Sequence, residues 1–277
     1  MSSSAGGRVL TEEEAERLLE RDKDCISDFK RNKLEMDAKK NWDLFYKRNS
    51  THFFKDRHWI TRECPQLQSI LHEVDKPVLL EVGCGVGNAV LPLLEEHGQD
   101  MFVYACDFSP RAIEYLKSDP LFDESKNCRG FVCDVTKDPL THNVPPNSVD
   151  IALLIFVLSA ISPEKVKSVL TNISTVLKID GGLVFFRDYG LYDHAMLRFS
   201  KGHKISENFY MRQDGTRAYY FSESEVSDLF SSAGFDVIEN SYVERETVNH
   251  KEGVSARRIF VQGKYKVSSK PKQGISH

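Results

Sequence analysis

The 277-residue sequence has no apolar run approaching the roughly 20 residues a helix needs to cross a bilayer, which excludes a membrane-spanning helix. Its six cysteines, Cys25, Cys64, Cys84, Cys106, Cys128 and Cys133, include no Cys-x-x-Cys pair and no even spacing. Neither a zinc site nor a disulfide framework is expected, and the chain reads as reduced and intracellular. No two histidines stand at metal-ligand spacing and no Ser/His/Asp arrangement is suggested, so metal and acyl-transfer chemistry find no support. A surplus of positive charge is also missing: 37 Lys and Arg against 41 Asp and Glu leave a formal charge of −4. With a pI near 6.2, any nucleic-acid affinity must come from a local patch. The N-terminus, MSSSAGGRVLTEEEAE, lacks the basic-then-apolar pattern of a secretory signal and turns acidic where a mitochondrial presequence is rich in arginine. Cytosol or nucleus is the expected compartment, and there the sequons at Asn49 and Asn172 mean nothing.

What is present falls into three zones. Residues 11–40 are highly charged, with Ala15, Leu18, Leu19, Ile26 and Phe29 at helix-like spacing and a capping box formed by Thr11 and Glu14. Residues 41–63 interleave Trp42, Phe45, Tyr46, Phe53, Phe54 and Trp59 with Lys47, Arg48, Lys55, Arg57 and Arg62; both tryptophans of the chain lie here. Trp42, Phe45 and Tyr46 at helical spacing can simply anchor a helix on the core. The whole cluster exceeds that need and reads as a surface for single-stranded RNA, with aromatic faces for bases and cations for phosphates. From about residue 77, strand-like runs at 77–82, 101–107, 129–134, 149–156 and 182–188 alternate with helical stretches, the pattern of a parallel sheet covered on both faces. A helix at 222–233, ended by Gly234, and strands near 235–243 and 257–265 complete it. A second basic stripe, Arg257, Arg258, Lys264, Lys266, Lys270 and Lys272, is more simply a solvated edge. The polar tail 267–277 is expected to be disordered.

The first strand runs into Glu81-Val82-Gly83-Cys84-Gly85-Val86-Gly87-Asn88 and then a helix, where glycines bring backbone amides against a ligand at a helix N-terminus. Asp107 closes the second strand 24 residues after Gly83, in place for two ribose hydroxyls, and Asp134 closes the third, near an adenine. Three strand ends on one edge describe a nucleoside site. A dinucleotide fingerprint needs its third glycine where Asn88 stands, and no Lys-Ser/Thr pair follows the glycines to hold a triphosphate. The loop resembles instead that of class I S-adenosylmethionine-dependent methyltransferases, α/β proteins with a Rossmann-like, mostly parallel seven-stranded sheet.

Over nearly its whole length the chain resembles the eukaryotic methyltransferase-like enzymes that form N3-methylcytidine at position 32 of the transfer RNA anticodon loop. The resemblance rests on NWDLFYKRN, FFKDRHW, GCGVGN, ACDFSPRAIEYLK, LIFVLSA, FRDYGLYDHAMLRF and FYMRQDGTR. It is greatest to the stand-alone cytosolic branch acting on serine transfer RNA. It implies a cofactor-covering segment at 1–63 and a methyltransferase domain at 64–266. S-adenosylmethionine would be held by Trp42, Tyr46, Gly83, Gly85, Asp107, Asp134, Val135 and Ile155. Seryl-tRNA synthetase is the implied partner of a monomer. After the fifth strand, Asp188 is the candidate to accept the charge developing on the base and Tyr189 to shape the pocket. Phe53, Phe54, Lys55, Arg57, His58, Arg187, Arg212 and Arg217 are candidate RNA contacts, although Arg187 paired with Asp188 would be merely structural. Three rival classes stay open: a nicotinamide-dependent oxidoreductase, a non-catalytic module binding cofactor and RNA, and a methyltransferase acting on protein or a small molecule.

Overall fold

The computed structural model describes residues 7–98, 100–249 and 254–268. Thr11 opens α1 (Glu12–Arg21) with the reciprocal capping box to Glu14, and Ser27 caps α2 (Asp28–Met36). One residue later α3 (Ala38–Asn49) begins. Of the apolar positions in this stretch, Leu19 and Phe29 stay exposed. Two short helices follow, α4 (Trp59–Glu63) and α5 (Pro65–Glu73), the second with proline in its first turn, where a missing N–H costs nothing.

The alternating region then runs β1 (Val78–Val82), α6 (Val90–His97), β2 (Phe102–Asp107), α7 (Pro110–Ser118), β3 (Cys128–Val132), β4 (Ile151–Ile155), α8 (Pro163–Ser174) and β5 (Leu183–Tyr189). Beyond it come α9 (His194–Leu197), three short strands β6 (Lys204–Ser206), β7 (Phe209–Met211) and β8 (Arg217–Tyr219), α10 (Glu223–Ser232), and the long hairpin β9 (Phe235–Asn249) and β10 (Val254–Val267). The main sheet has seven strands in the order β3-β2-β1-β4-β5-β10-β9. The first five are mutually parallel, and β10 lies antiparallel between β5 and β9. Apolar clusters cover both faces, which is why each inner strand could be an unbroken hydrophobic run. The strand order reverses between β1 and β4, and the crevice at their carboxyl ends is where an open α/β sheet binds ligands.

Two features exceed the expected outline. The outer halves of β9 and β10 extend past β5, whose register with β10 covers only Phe260–Lys266. There they carry Glu244, Arg245, Glu246 and Arg257 and so lack an apolar signature. The second feature is a separate three-stranded antiparallel sheet, β6-β7-β8, with Asp214-Gly215 in the turn between its last two strands. Of the proposed basic stripe, Lys264 is buried and paired with Glu239, and Arg257 pairs with Glu244. Lys270, Lys272 and the tail from residue 269 lie outside the described residues.

Candidate active site

The glycine loop turns at the end of β1 with Gly83 and Gly85 both at positive φ, +67° and +55°. A Cβ on Gly83 would stand 2.6 Å from a methyl of Val157, and one on Gly85 2.7 Å from the Tyr46 hydroxyl. The backbone is thus pressed between the β4 edge and α3, leaving room for a ligand but not for a side chain. Asp107, nearly buried, accepts hydrogen bonds from the amides of Gly85 (3.0 Å) and Ser109 (2.9 Å). Burial pushes its carboxyl up to about 6 against the pull of those amides. Asp134 accepts from the Thr136 amide and hydroxyl and lies 3.1 Å from the Lys137 ammonium. Burial opposes its ionisation, yet the bonds from Thr136 and Lys137 hold its carboxyl below the ordinary value.

Two cavities, of about 130 and 250 Å³, meet at Trp42, Tyr46, Gly83 and Phe156, which line both. The first holds Asp107, Asp134 and Val135, the nucleoside end of the expected site. The second holds Gly85, Ile155 and Tyr189 together with Phe53, Phe54, Arg57 and Arg212. All eight expected cofactor residues therefore line one or both cavities. Glu81, fully enclosed at the floor of the second, keeps Oε2 without a partner, and burial raises its carboxyl to about 8. A cradle closed to any Cβ, two acids at the strand ends and an orphan carboxylate oxygen fit the nucleoside and ammonium groups of S-adenosylmethionine.

Helix α3 roofs both cavities. Trp42, Phe45, Tyr46, Phe53 and Phe54 form one aromatic cluster, with Phe45 and Tyr46 buried and Phe53 left 58% exposed. Phe45 and Tyr46 realise the anchoring reading, and Phe53 is the ring left to solvent. The roof is tied down on both sides. Asp43 accepts from the Ser109 hydroxyl (2.9 Å) and the Arg111 amide (3.2 Å), and Asn41 donates to the Gly215 carbonyl (2.9 Å). At the end of α2, Glu35 accepts from Lys165, Ser162 and Arg217. Burial opposes its ionisation, but those three donors together hold its carboxyl at about 2. Glu35→Gln is expected to cost about 1–2 kcal/mol in denaturant unfolding and to speed cofactor release about tenfold in a stopped-flow chase.

Three of the expected contacts are corrected by the geometry. Arg187 is 4% exposed and turned to the opposite sheet face from Asp188, as neighbours on a strand must be. It pairs with Glu63, and its guanidinium lies 3.9 Å over Trp59, so it fastens α4 to the sheet rather than facing RNA. Arg217, 6% exposed, donates to Glu35, the Ser162 hydroxyl (2.9 Å) and the Ala160 carbonyl (3.2 Å), and lines the nucleoside cavity instead of an outer surface. Asp188 is wholly enclosed and borders neither cavity. Its two oxygens accept from the amides of Ser159 and Tyr189, both at 2.9 Å. Lys55 and His58 are exposed beside the second cavity without lining it.

Several lining residues carried no mark of their own in the sequence. Phe156 sits just past β4 with φ +60°, a costly conformation for a bulky residue; its ring lies tilted 5.0 Å from that of Tyr189 and 4.8 Å beneath the Arg57 guanidinium. Ser159, Asp214, Thr216 and Arg258 join it around the second cavity. Asp214 stands in a turn that its Asp-Gly pair signals, and Arg258, which the sequence placed on a solvated basic edge, is instead turned inward by Asp193; Ser159 and Thr216 have no such signature.

A methyltransferase-domain profile matches residues 27–240 of the chain. The sequence is 58% identical over 259 residues to tRNA N(3)-cytidine methyltransferase METTL6 of Homo sapiens, covering 93% of this chain and 90% of that one. It is 39% identical to tRNA N(3)-cytidine methyltransferase METTL2 of Danio rerio, covering 86% and 76%. Among solved structures, a SAM-dependent methyltransferase from Anabaena variabilis superposes with a TM-score of 0.58 at 13% identity, over 83% of this chain and 95% of that one. The last of these supports the fold, and the first three set the chain among methyltransferases rather than nicotinamide-dependent oxidoreductases. A nucleoside cradle of the S-adenosylmethionine type, set in a chain this similar to the METTL6 enzyme, places the protein in the tRNA N3-cytidine methyltransferase family.

Proposed function

We propose that this protein transfers a methyl group from S-adenosylmethionine to N3 of cytidine 32 in the anticodon loop of serine transfer RNA, with seryl-tRNA synthetase presenting the substrate. The observation supporting this most directly is the junction of the two cavities: the nucleoside side opens past Gly83 and Phe156 into a chamber walled by aromatic faces and guanidinium groups.

S-adenosylmethionine supplies a sulfonium methyl. Asp107 and Asp134 would hold its nucleoside and Glu81 its ammonium group. Cytosine N3 carries an in-plane lone pair, so no residue need remove a proton. The task of the protein is alignment, which can contribute several kcal/mol of the barrier. N3 lies on the Watson–Crick edge, so the base must be unpaired or turned out, and Tyr189, Phe156 and Phe54 offer it ring faces. The product base is cationic, and aromatic faces accept such charge. Asp188 acts from behind as a positioning residue: by gripping the amides of Ser159 and Tyr189 it fixes two walls of the chamber. Burial raises its carboxyl to about 6. Those amides bind the ionised form, so the single-turnover rate is expected to rise with pH through about 6. Asp188→Ala is expected to cut that rate at least about tenfold with both substrates saturating.

The charge of −4 limits binding to a whole transfer RNA by counterion release, which favours a partner that holds the substrate. The test is transfer of labelled methyl to total transfer RNA with and without seryl-tRNA synthetase, followed by nucleoside analysis. Synthetase-stimulated N3-methylcytidine, confined to serine isoacceptors and mapped to position 32, is the expected result. Label in another nucleoside, or a rate indifferent to the synthetase, overturns the corresponding part.

A further inference from the structure

The second cavity holds a group of arginines that the alignment task alone does not require. Arg57, Arg212 and Arg258 all line it, and they come from three separate parts of the chain: the segment before α4, the end of β7 and the start of β10. The guanidinium groups of Arg212 and Arg258 lie 5.5 and 5.9 Å from the ring centre of Tyr189. Arg258 also lies 5.3 Å over Phe260, and Arg57 4.8 Å over Phe156.

Arg258 is held in a particular way. Its Nε donates to Asp193 at 2.8 Å, and the same fully buried carboxylate also accepts from the amides of Ile259 and Ala195, both at 2.8 Å. Asp193 thus fixes the stem end of the guanidinium, and the ring of Phe260 fixes its plane. Among the described residues neither Nη of Arg258 has a protein acceptor, so up to four N–H donors are left at the wall of the cavity.

The charge around the chamber is unbalanced. Three guanidiniums line the chamber against one lining carboxylate besides Glu81, that of Asp214, whose Oδ1 is occupied by the Thr216 amide and hydroxyl; Asp193, behind the wall, offsets Arg258 from its Nε side only, so an excess of positive charge remains at the Nη edge. Glu81 is buried and favours its protonated form in the free protein; when it ionises against the ammonium group of the cofactor, the net positive charge the cofactor brings cancels the charge gained by Glu81, so loading the site leaves the excess in place. An anion with two accepting oxygens in one plane would offset this charge and match the exposed edge of a guanidinium. In a nucleic acid that group is the phosphodiester.

We propose that Arg258, oriented by Asp193, binds the phosphodiester flanking the target cytidine, so that the C-terminal hairpin grips the backbone while the aromatic faces hold the base. The inference rests on the reading of transfer RNA as substrate. Its mark is ionic: a lost phosphate contact lowers the slope of log affinity against log salt by about one, whereas a lost base contact leaves the slope unchanged.

The experiment compares wild type, Arg258→Gln and Arg258→Lys in KM for serine transfer RNA at four salt concentrations, with the synthetase present throughout, and measures cofactor affinity by calorimetry. Arg258→Gln is expected to raise KM about tenfold at low salt, lower the salt slope by about one, and change cofactor affinity less than about twofold. Arg258→Lys keeps the charge and is expected to restore the slope while recovering only part of the affinity. An unchanged KM and slope in Arg258→Gln overturns the proposal, as does a raised KM at constant slope, which would give Arg258 to the base. Should Arg258→Gln fail to fold, the slope of Arg258→Lys decides, a reduced value being the overturning result. Wild-type protein that methylates no transfer RNA cytidine defeats the substrate reading instead, a distinct outcome.

Discussion

Gly83→Val is expected to raise the dissociation constant for S-adenosylmethionine by at least about 100-fold while the protein still unfolds in one cooperative transition. Two separate costs combine. At φ +67° a Cβ-branched residue takes on left-handed strain of roughly 1–2 kcal/mol. Its Cβ must also displace Val157, whose Cγ2 would be only 2.6 Å away, at a further 1–3 kcal/mol of overpacking. The loop can relieve both by moving into the cavity it borders, because solvent offers less resistance there than the packed end of β4 does. Relief therefore comes at the expense of the cofactor's space. Calorimetric titration with S-adenosylmethionine reads the loss and thermal unfolding checks the fold; retained affinity would show that Gly83 is not part of the cradle.

Glu81→Gln is expected to move stability and binding in opposite directions. The Glu81 carboxyl lies near 8 in the fold against an ordinary 4.5, with burial as the leading cause. A raised value means that the folded state keeps a proton the unfolded chain has released. The contribution of this group to stability is therefore full below about pH 4.5 and is lost progressively up to about pH 8. Glutamine has no proton to lose. The variant should match wild type at pH 5 and exceed it by about 2 kcal/mol or more at pH 8 in urea unfolding. The same substitution removes the anionic partner of the cofactor's ammonium group and should weaken S-adenosylmethionine more than about tenfold. A variant no more stable than wild type at pH 8 would mean that Glu81 gains compensation in the free protein. Unaltered cofactor affinity would remove it from the binding site.

What could be read from the sequence was whatever is local along it. The strands from 77 to 188 show as apolar runs because both faces of the sheet are covered, and the glycine loop, Asp107 and Asp134 stand at strand ends. The resemblance added Trp42 and Tyr46, which are far from the loop in sequence yet lie over it in space. Side-chain direction at a strand end was not legible in the same way. Arg187 and Asp188 are neighbours in sequence, but the pleat sends one to Glu63 and Trp59 and the other to the amides of Ser159 and Tyr189. Long-range pairs were equally hidden. Glu35 sits in a charged stretch that gives no hint of Lys165 or Arg217, and Arg258 looked like one more cation on an edge strand until Asp193 turned its guanidinium inward. Phe156 gave no warning because a backbone held at positive φ by its surroundings leaves no trace in residue type.

Helix α3 serves two tasks: its Trp42 and Tyr46 close over the cofactor cavity, while its Phe45 supports Phe53, from the segment after the helix, which stays open to solvent. Whatever orders this helix for one task orders it for the other. On the proposed reading, cofactor and RNA are then thermodynamically linked, and linkage is reciprocal: the factor by which a bound cofactor tightens RNA equals the factor by which bound RNA tightens the cofactor. A spent cofactor would leave most readily after the methylated transfer RNA has gone, so that one helix imposes an order on a cycle whose chemistry requires none.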